Sequence, residues 1–157
     1  MSDGGFLELQ SDGNYEWISS PNIAWAYKPE EPYLSAELDL RRNSIRLVRL
    51  CIADQTDIRC DFLCYPLAEA PPYVALSYTW GKDENARNIN LNGHSVQVRP
   101  NLWTFLAQMR RGRAVDLFWI DALCIDQRNM RERNFQVTMM RDIYQHVSTL
   151  TISQIGK

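Results

Sequence analysis

The sequence predicts an α/β domain: a small sheet with a largely parallel core, β-hairpin additions and an extended N-terminal leader. Three observations predict it. Leu117–Ile120 (LFWI) is a short all-apolar run, the pattern of a strand covered on both faces. After a polar loop comes a helix, with one apolar stripe at Gln136, Met139, Met140, Ile143 and Val147. From residue 73 on, the order reads strand, hairpin, helix, strand, helix, strand. Strands joined by helices favour a parallel sheet with right-handed crossovers.

Residues 1–40 form the leader, and residues 41–157 the domain. The leader holds eight acids and one base, Lys28, and the rest of the chain holds sixteen bases and eleven acids. An acidic leader can lie against such a body or float beside it. Its aromatics, Tyr15, Trp17, Trp25, Tyr27 and Tyr33, argue against full disorder.

The first body strand is expected over 45–52 (IRLVRLCI). In 58–64, Ile58, Cys60, Phe62 and Cys64 alternate with Arg59, Asp61 and Leu63, which marks a half-buried strand pairing with the first as a hairpin. Pro66, Pro71 and Pro72 end it. A third strand, 73–80 (YVALSYTW), is released by Gly81 into a polar loop. Asn92-Gly93 is a strong two-residue turn signal. Its register opposes Ile89 to Val96 and Leu91 to His94. Asn101 is expected to cap a helix buried through Leu102, Phe105, Leu106 and Met109. Asn129 is expected to cap the second helix, with Glu132 three residues on completing a capping box and Gln136 as its partner at i+4. Residues 149–153 (TLTIS) read as a last strand.

Length and composition fit one soluble domain: 157 residues, 45% hydrophobic and 23% charged. No apolar run approaches a membrane span. The start (MSDGGFLELQ) lacks the basic and apolar regions of a secretory signal, so the four cysteines read as reduced thiols in the cytoplasm. The body's positive charge is too diffuse to indicate nucleic acid. Cys60 and Cys64, four apart on one strand, stand roughly 13 Å from each other, so no metal is expected there.

Ligands of open α/β sheets bind beyond the carboxyl ends of strands. That rule selects the loop over 121–127 and the end of the 73–80 strand. Asp121 and Asp126 could orient a ribose or a partner's cation, or could simply turn the chain. Cys124 could be a nucleophile with His94 or His146 as base, but nothing places either imidazole beside it, and it reads first as a small buried thiol. Trp80 and Gly81 could wall a pocket, and a core Trp with a turn Gly explains the same letters. Gln127, Arg128 and Arg131 complete the set of binding candidates. Glu132, a carboxylate on the buried stripe, is the weak catalytic candidate.

Two blocks, 73–81 (YVALSYTWG) and 118–144 (FWIDALCIDQRNMRERNFQVTMMRDIY), resemble the signature blocks of the heterokaryon incompatibility (HET) domain, a mainly fungal family. The intervening INLNG (89–93) and Asn101-Leu102 fit as well, and the likeness spans roughly 45–150. The resemblance implies a role in nonself recognition after hyphal fusion and in programmed cell-death signalling. It implies protein partners, homotypic or another incompatibility factor. It also implies a flavodoxin-like fold similar to TIR domains, some of which cleave NAD while others self-associate. On that likeness, 73–80 stands for the first TIR strand, 116–121 for the second and 122–131 for the assembly loop. The enzymatic alternative is an NAD glycohydrolase with a pocket between Trp80-Gly81 and 121–126; otherwise no cofactor is expected. The family's Trp-Leu-Gly-like ending is replaced by SQIG (153–156). The glutamate of TIR-type NADases lies in a later helix, which reads as missing here, as in a truncated and inactive family member.

Overall fold

The computed structural model describes residues 5–9, 15–19, 32–53, 57–77, 85–146 and 149–152; for 5–9, 15–19, 77 and 149–152 only the backbone is described. Within the leader, β1 (Gly5–Leu9) and β2 (Tyr15–Ser19) pair antiparallel as a two-stranded sheet.

The domain is built on seven strands: β3 (Ser44–Leu50), β4 (Arg59–Pro66), β5 (Val74–Ser77), β6 (Arg87–Leu91), β7 (His94–Val98), β8 (Leu117–Ile120) and β9 (Thr149–Ile152). Their order across the sheet is β7-β6-β4-β3-β8-β5-β9. Among the described residues three α-helices accompany them: α1 (Pro100–Arg111), a single turn α2 (Asp121–Cys124) and α3 (Met130–Gln145).

Both hairpins form as the sequence indicates. β3 pairs antiparallel with β4, with Val48 opposite Phe62. β6 pairs antiparallel with β7 in the register set by the turn, Ile89 opposite Val96 and Leu91 opposite His94. Asn92 and Gly93 both take positive φ, 51° and 88°, which a two-residue hairpin turn demands. This hairpin joins the main sheet through a parallel contact of Cys60 with Leu91. The alternation in β4 holds through Phe62 and fails at Cys64, which is exposed.

The parallel core is β8-β5-β9. β5 lies between the other two, with Leu76 beside Ile120 on one side and Thr151 on the other. The chain leaves the central strand to build one neighbour and returns to build the opposite one, as in flavodoxin-like sheets. Phe118 meets Phe105 of α1 edge to face at 5.7 Å, and Trp119 meets Tyr144 of α3 the same way at 5.6 Å. Consecutive strand residues point to opposite faces, so α1 and α3 cover opposite sides of the sheet. Phe118, Trp119 and Ile120 are accordingly all buried.

Two helix starts differ from expectation. α1 begins two positions earlier: Arg99 is the N-cap, without a side-chain bond, and Pro100 occupies the first turn. Proline's fixed φ and missing N–H suit that place, so Asn101 lies inside the helix. In α3, Asn129 Oδ1 does accept from Glu132 N at 3.1 Å. The reciprocal half of the box is absent, because the Glu132 side chain points elsewhere. Gln136 is not its partner either: Gln136 Nε2 donates to Ser44 O at 2.9 Å.

Candidate functional site

β5 and β8 run parallel as immediate neighbours, so their carboxyl ends emerge side by side. Trp80 and Gly81, the candidates beyond β5, lie outside the described residues. Beyond β8, α2 and the following loop bring Asp121, Cys124, Asp126, Gln127 and Arg128 together on one short path into α3.

The centre of this region is an arginine that sequence reasoning did not single out. β3 runs antiparallel to β8 with Val48 opposite Phe118. Arg46 therefore stands opposite Ile120, at the end of β8 where the loop departs. It is 2% exposed. Its Nη1 donates to Glu132 Oε1 and, at 3.1 Å, to Cys124 O. Its Nε donates to Ala36 O at 2.7 Å. The guanidinium also lies over the Tyr33 ring at 4.9 Å and near the Phe62 ring at 5.8 Å. One cation thus ties the end of the leader, the loop and the first turn of α3 to the sheet.

Glu132 is 3% exposed. Its second oxygen accepts from Asp126 N at 3.0 Å. Burial pushes its carboxyl above the usual range, and Arg46 pulls it back. A buried carboxylate needs a cation and hydrogen-bond donors, and here both are supplied.

The rest of the loop is tied locally. Asp126 is buried, and its Oδ1 accepts from Arg128 N at 3.2 Å, an Asx turn. Asp121 Oδ1 accepts from Ala122 N at 2.8 Å, while Gln127 Nε2 donates to Asp121 O at 3.1 Å. Burial raises the Asp121 pKa. Cys124 is fully buried; Ile120 N donates to its sulfur at 3.3 Å, and burial pushes its thiol up to about 12. Such a thiol is neutral and shielded at physiological pH. Arg128 and Arg131 are exposed at the rim.

Two hollows flank the loop. One of about 420 Å³ has Leu91, Val96 and Leu102 on one side, Leu123, Asp126 and Arg128 on the other, and Pro32 and Tyr33 among its walls. The other, about 360 Å³, is lined by Glu37, Asp39 and Arg41 opposite Asn129, Arg131 and Glu132. No group of three or more His, Cys, Asp or Glu among the described residues could hold a metal ion. No helix among them is long and apolar enough to cross a membrane.

The family model described as heterokaryon incompatibility protein (HET) matches residues 73–157, more than half of the chain, taking in β5 through β9 and the whole loop. The chain belongs to the HET family. It is 33% identical over 129 residues to heterokaryon incompatibility protein 6, OR allele, of Neurospora crassa, an alignment covering 71% of this chain and 19% of that protein. It is 32% identical over 78 residues to vegetative incompatibility protein HET-E-1 of Podospora anserina, covering 48% of this chain and 6% of that protein. This HET chain therefore spans about a fifth or less of the length of these relatives. No solved structure matches it significantly.

Proposed function

We propose that the chain is an incompatibility-signalling module that acts by protein–protein assembly through the loop over 122–131. One observation carries the reading: the buried Arg46–Glu132 pair fixes the loop's backbone while Arg128 and Arg131 stay at the surface. A pre-ordered loop with charged groups at its rim loses little entropy on docking, and its charges select partners and orientation. The relatives' names place them in heterokaryon and vegetative incompatibility, and the TIR resemblance read from the sequence supports this same loop as the assembly surface. The partner is a second copy or another incompatibility factor.

NAD cleavage is the weaker alternative. The carboxylate candidate for catalysis, Glu132, is nearly inaccessible and engaged with Arg46 and Asp126 N. Measured nicotinamide release from NAD by the purified chain would revive it.

The assembly reading is tested by charge reversal. Arg128→Glu and Arg131→Glu chains should keep the parental circular dichroism and melting temperature. Their concentration-dependent association should weaken by about tenfold, equivalent to about 1.4 kcal/mol. Unchanged association in both variants would refute the role of the loop.

A further inference from the structure

We propose that residues 32–39 form a displaceable strap seated in a peptide-binding channel, and that the partner this channel fits is an extended acidic segment carrying an aromatic hydroxyl. The proposal deepens the assembly reading and rests on it, because the strap covers the loop assigned to assembly.

The strap lies along the loop from Leu123 to Arg131. Tyr33 Oη donates to Leu123 O at 2.8 Å. The Tyr33 ring stacks on Phe62 at 5.5 Å between centroids and sits under the Arg46 guanidinium. Arg46 donates to Ala36 O of the strap and to Cys124 O of the loop, so one side chain reads both backbones. Asn92 Nδ2 donates to Ser35 Oγ at 2.8 Å. Further on, Glu37 and Asp39 share a hollow with Arg131. The strap's walls complete both hollows beside the loop, while Leu123 and Ile125 of the loop are buried.

The binding chemistry follows from these contacts. The channel offers a carbonyl to a phenolic hydroxyl, the Phe62 ring for stacking, the Arg46 guanidinium for cation–π contact and for a backbone carbonyl, and a surface arginine beside the acids. Tyr33 and Ala36 fill the first places, Asp39 turns to its own neighbour Arg41, and Glu37 lies in the hollow that Arg131 also lines.

The strap is also built to leave. It adds no strand to the sheet and consists of a short 3-10 turn (Tyr33–Ser35) and an irregular stretch. A second 3-10 turn (Leu40–Arg42) and Asn43, at φ 51°, join it to β3. Ala36 and Leu38 of the strap are buried, yet a segment with no ladder hydrogen bonds to the sheet opens locally at less cost than global unfolding. A tethered segment outcompetes the same segment free in solution by its effective concentration, so the channel stays closed until the strap is weakened or a stronger ligand arrives.

The test uses the full chain and a labelled peptide of residues 32–40, PYLSAELDL. The peptide should bind the Tyr33→Ala chain about tenfold more tightly than the parent, in keeping with the removal of an intramolecular competitor. Replacing the peptide's tyrosine by phenylalanine should weaken that binding. In the same variant, amide exchange over 122–128 should accelerate, and so should alkylation of Cys64, whose sulfur lies 3.7 Å from Ala36 O. Should Tyr33→Ala not fold, the Tyr33→Phe/Ser35→Ala chain loses three hydrogen bonds, to Leu123 O, from Asn92 Nδ2 and to Pro32 O, and no ring. Parental exchange rates and no peptide binding in a folded variant would overturn the proposal. None of these readouts requires self-association. If they succeed while Arg128→Glu and Arg131→Glu leave self-association intact, the strap stands and the assembly reading alone falls.

Discussion

Arg46 of β3 and Glu132 of α3 form an ion pair that is almost wholly shut off from water, 86 residues apart in the chain. That pair anchors the loop beyond β8 to the sheet. The arginine also holds Cys124 O, and the glutamate also holds Asp126 N, so the loop between them is pinned at two backbone positions.

Removing one partner leaves the other charge buried. Arg46→Met is expected to cost about 3–5 kcal/mol, whereas Arg46→Met/Glu132→Leu should recover most of it. Chemical denaturation of the parent, both single variants and the double variant measures the coupling. A single-variant loss within error of the double's would show that the pair is incidental.

Asn129 closes the first turn of α3 by accepting from Glu132 N. Asn129→Ala should destabilise by about 1 kcal/mol, and Asn129→Ser much less, because Ser also caps. The same denaturation experiment checks both, and equal effects would argue against capping.

The cysteines should differ in reactivity. Burial pushes Cys60 and Cys124 up to about 12, while Cys64 is exposed. Iodoacetamide at pH 8 followed by peptide mass mapping should find Cys64 modified first, with Cys60 and Cys124 modified only on denaturation. Early modification of Cys124 would contradict its placement under the loop.

Asp121 gives a pH dependence with a definite sign. Burial raises its pKa in the folded chain. Its stabilising contribution is therefore fully present below the unfolded pKa of about 4 and is lost as pH rises through the folded value. Glu132 acts in the same direction. Asp121→Asn removes one of the two contributions, and its amide oxygen can still accept from Ala122 N. The variant's melting temperature, relative to the parent's, should rise as pH is raised from about 4 to 7. A constant difference across that range would show that Asp121 titrates normally.

Much of the fold was legible because its signals are local. Asn92-Gly93 set the register of β6 and β7 through two positive φ values, and the LFWI run announced a strand covered on both faces. The α1 start was misplaced by one element of the same logic: Pro100 outranks Asn101 at a helix entry. Arg46 was not legible, because its burial is decided by groups 10, 78 and 86 residues away. Two signals pointed towards it. Glu132 sat on a buried stripe and needed a cation, and Arg46 shares a strand face with Val48 and Leu50. Gln136 looked like the natural partner at helical spacing, yet the sheet offered its side chain the Ser44 carbonyl instead.

The most direct test of the central claim is sedimentation velocity across a concentration series of the parent and the Arg131→Glu chain. The parent should shift to larger species as concentration rises, and the variant, equally folded, should need about tenfold more protein for the same shift. Superimposable series for the two chains would remove the loop from any role in assembly.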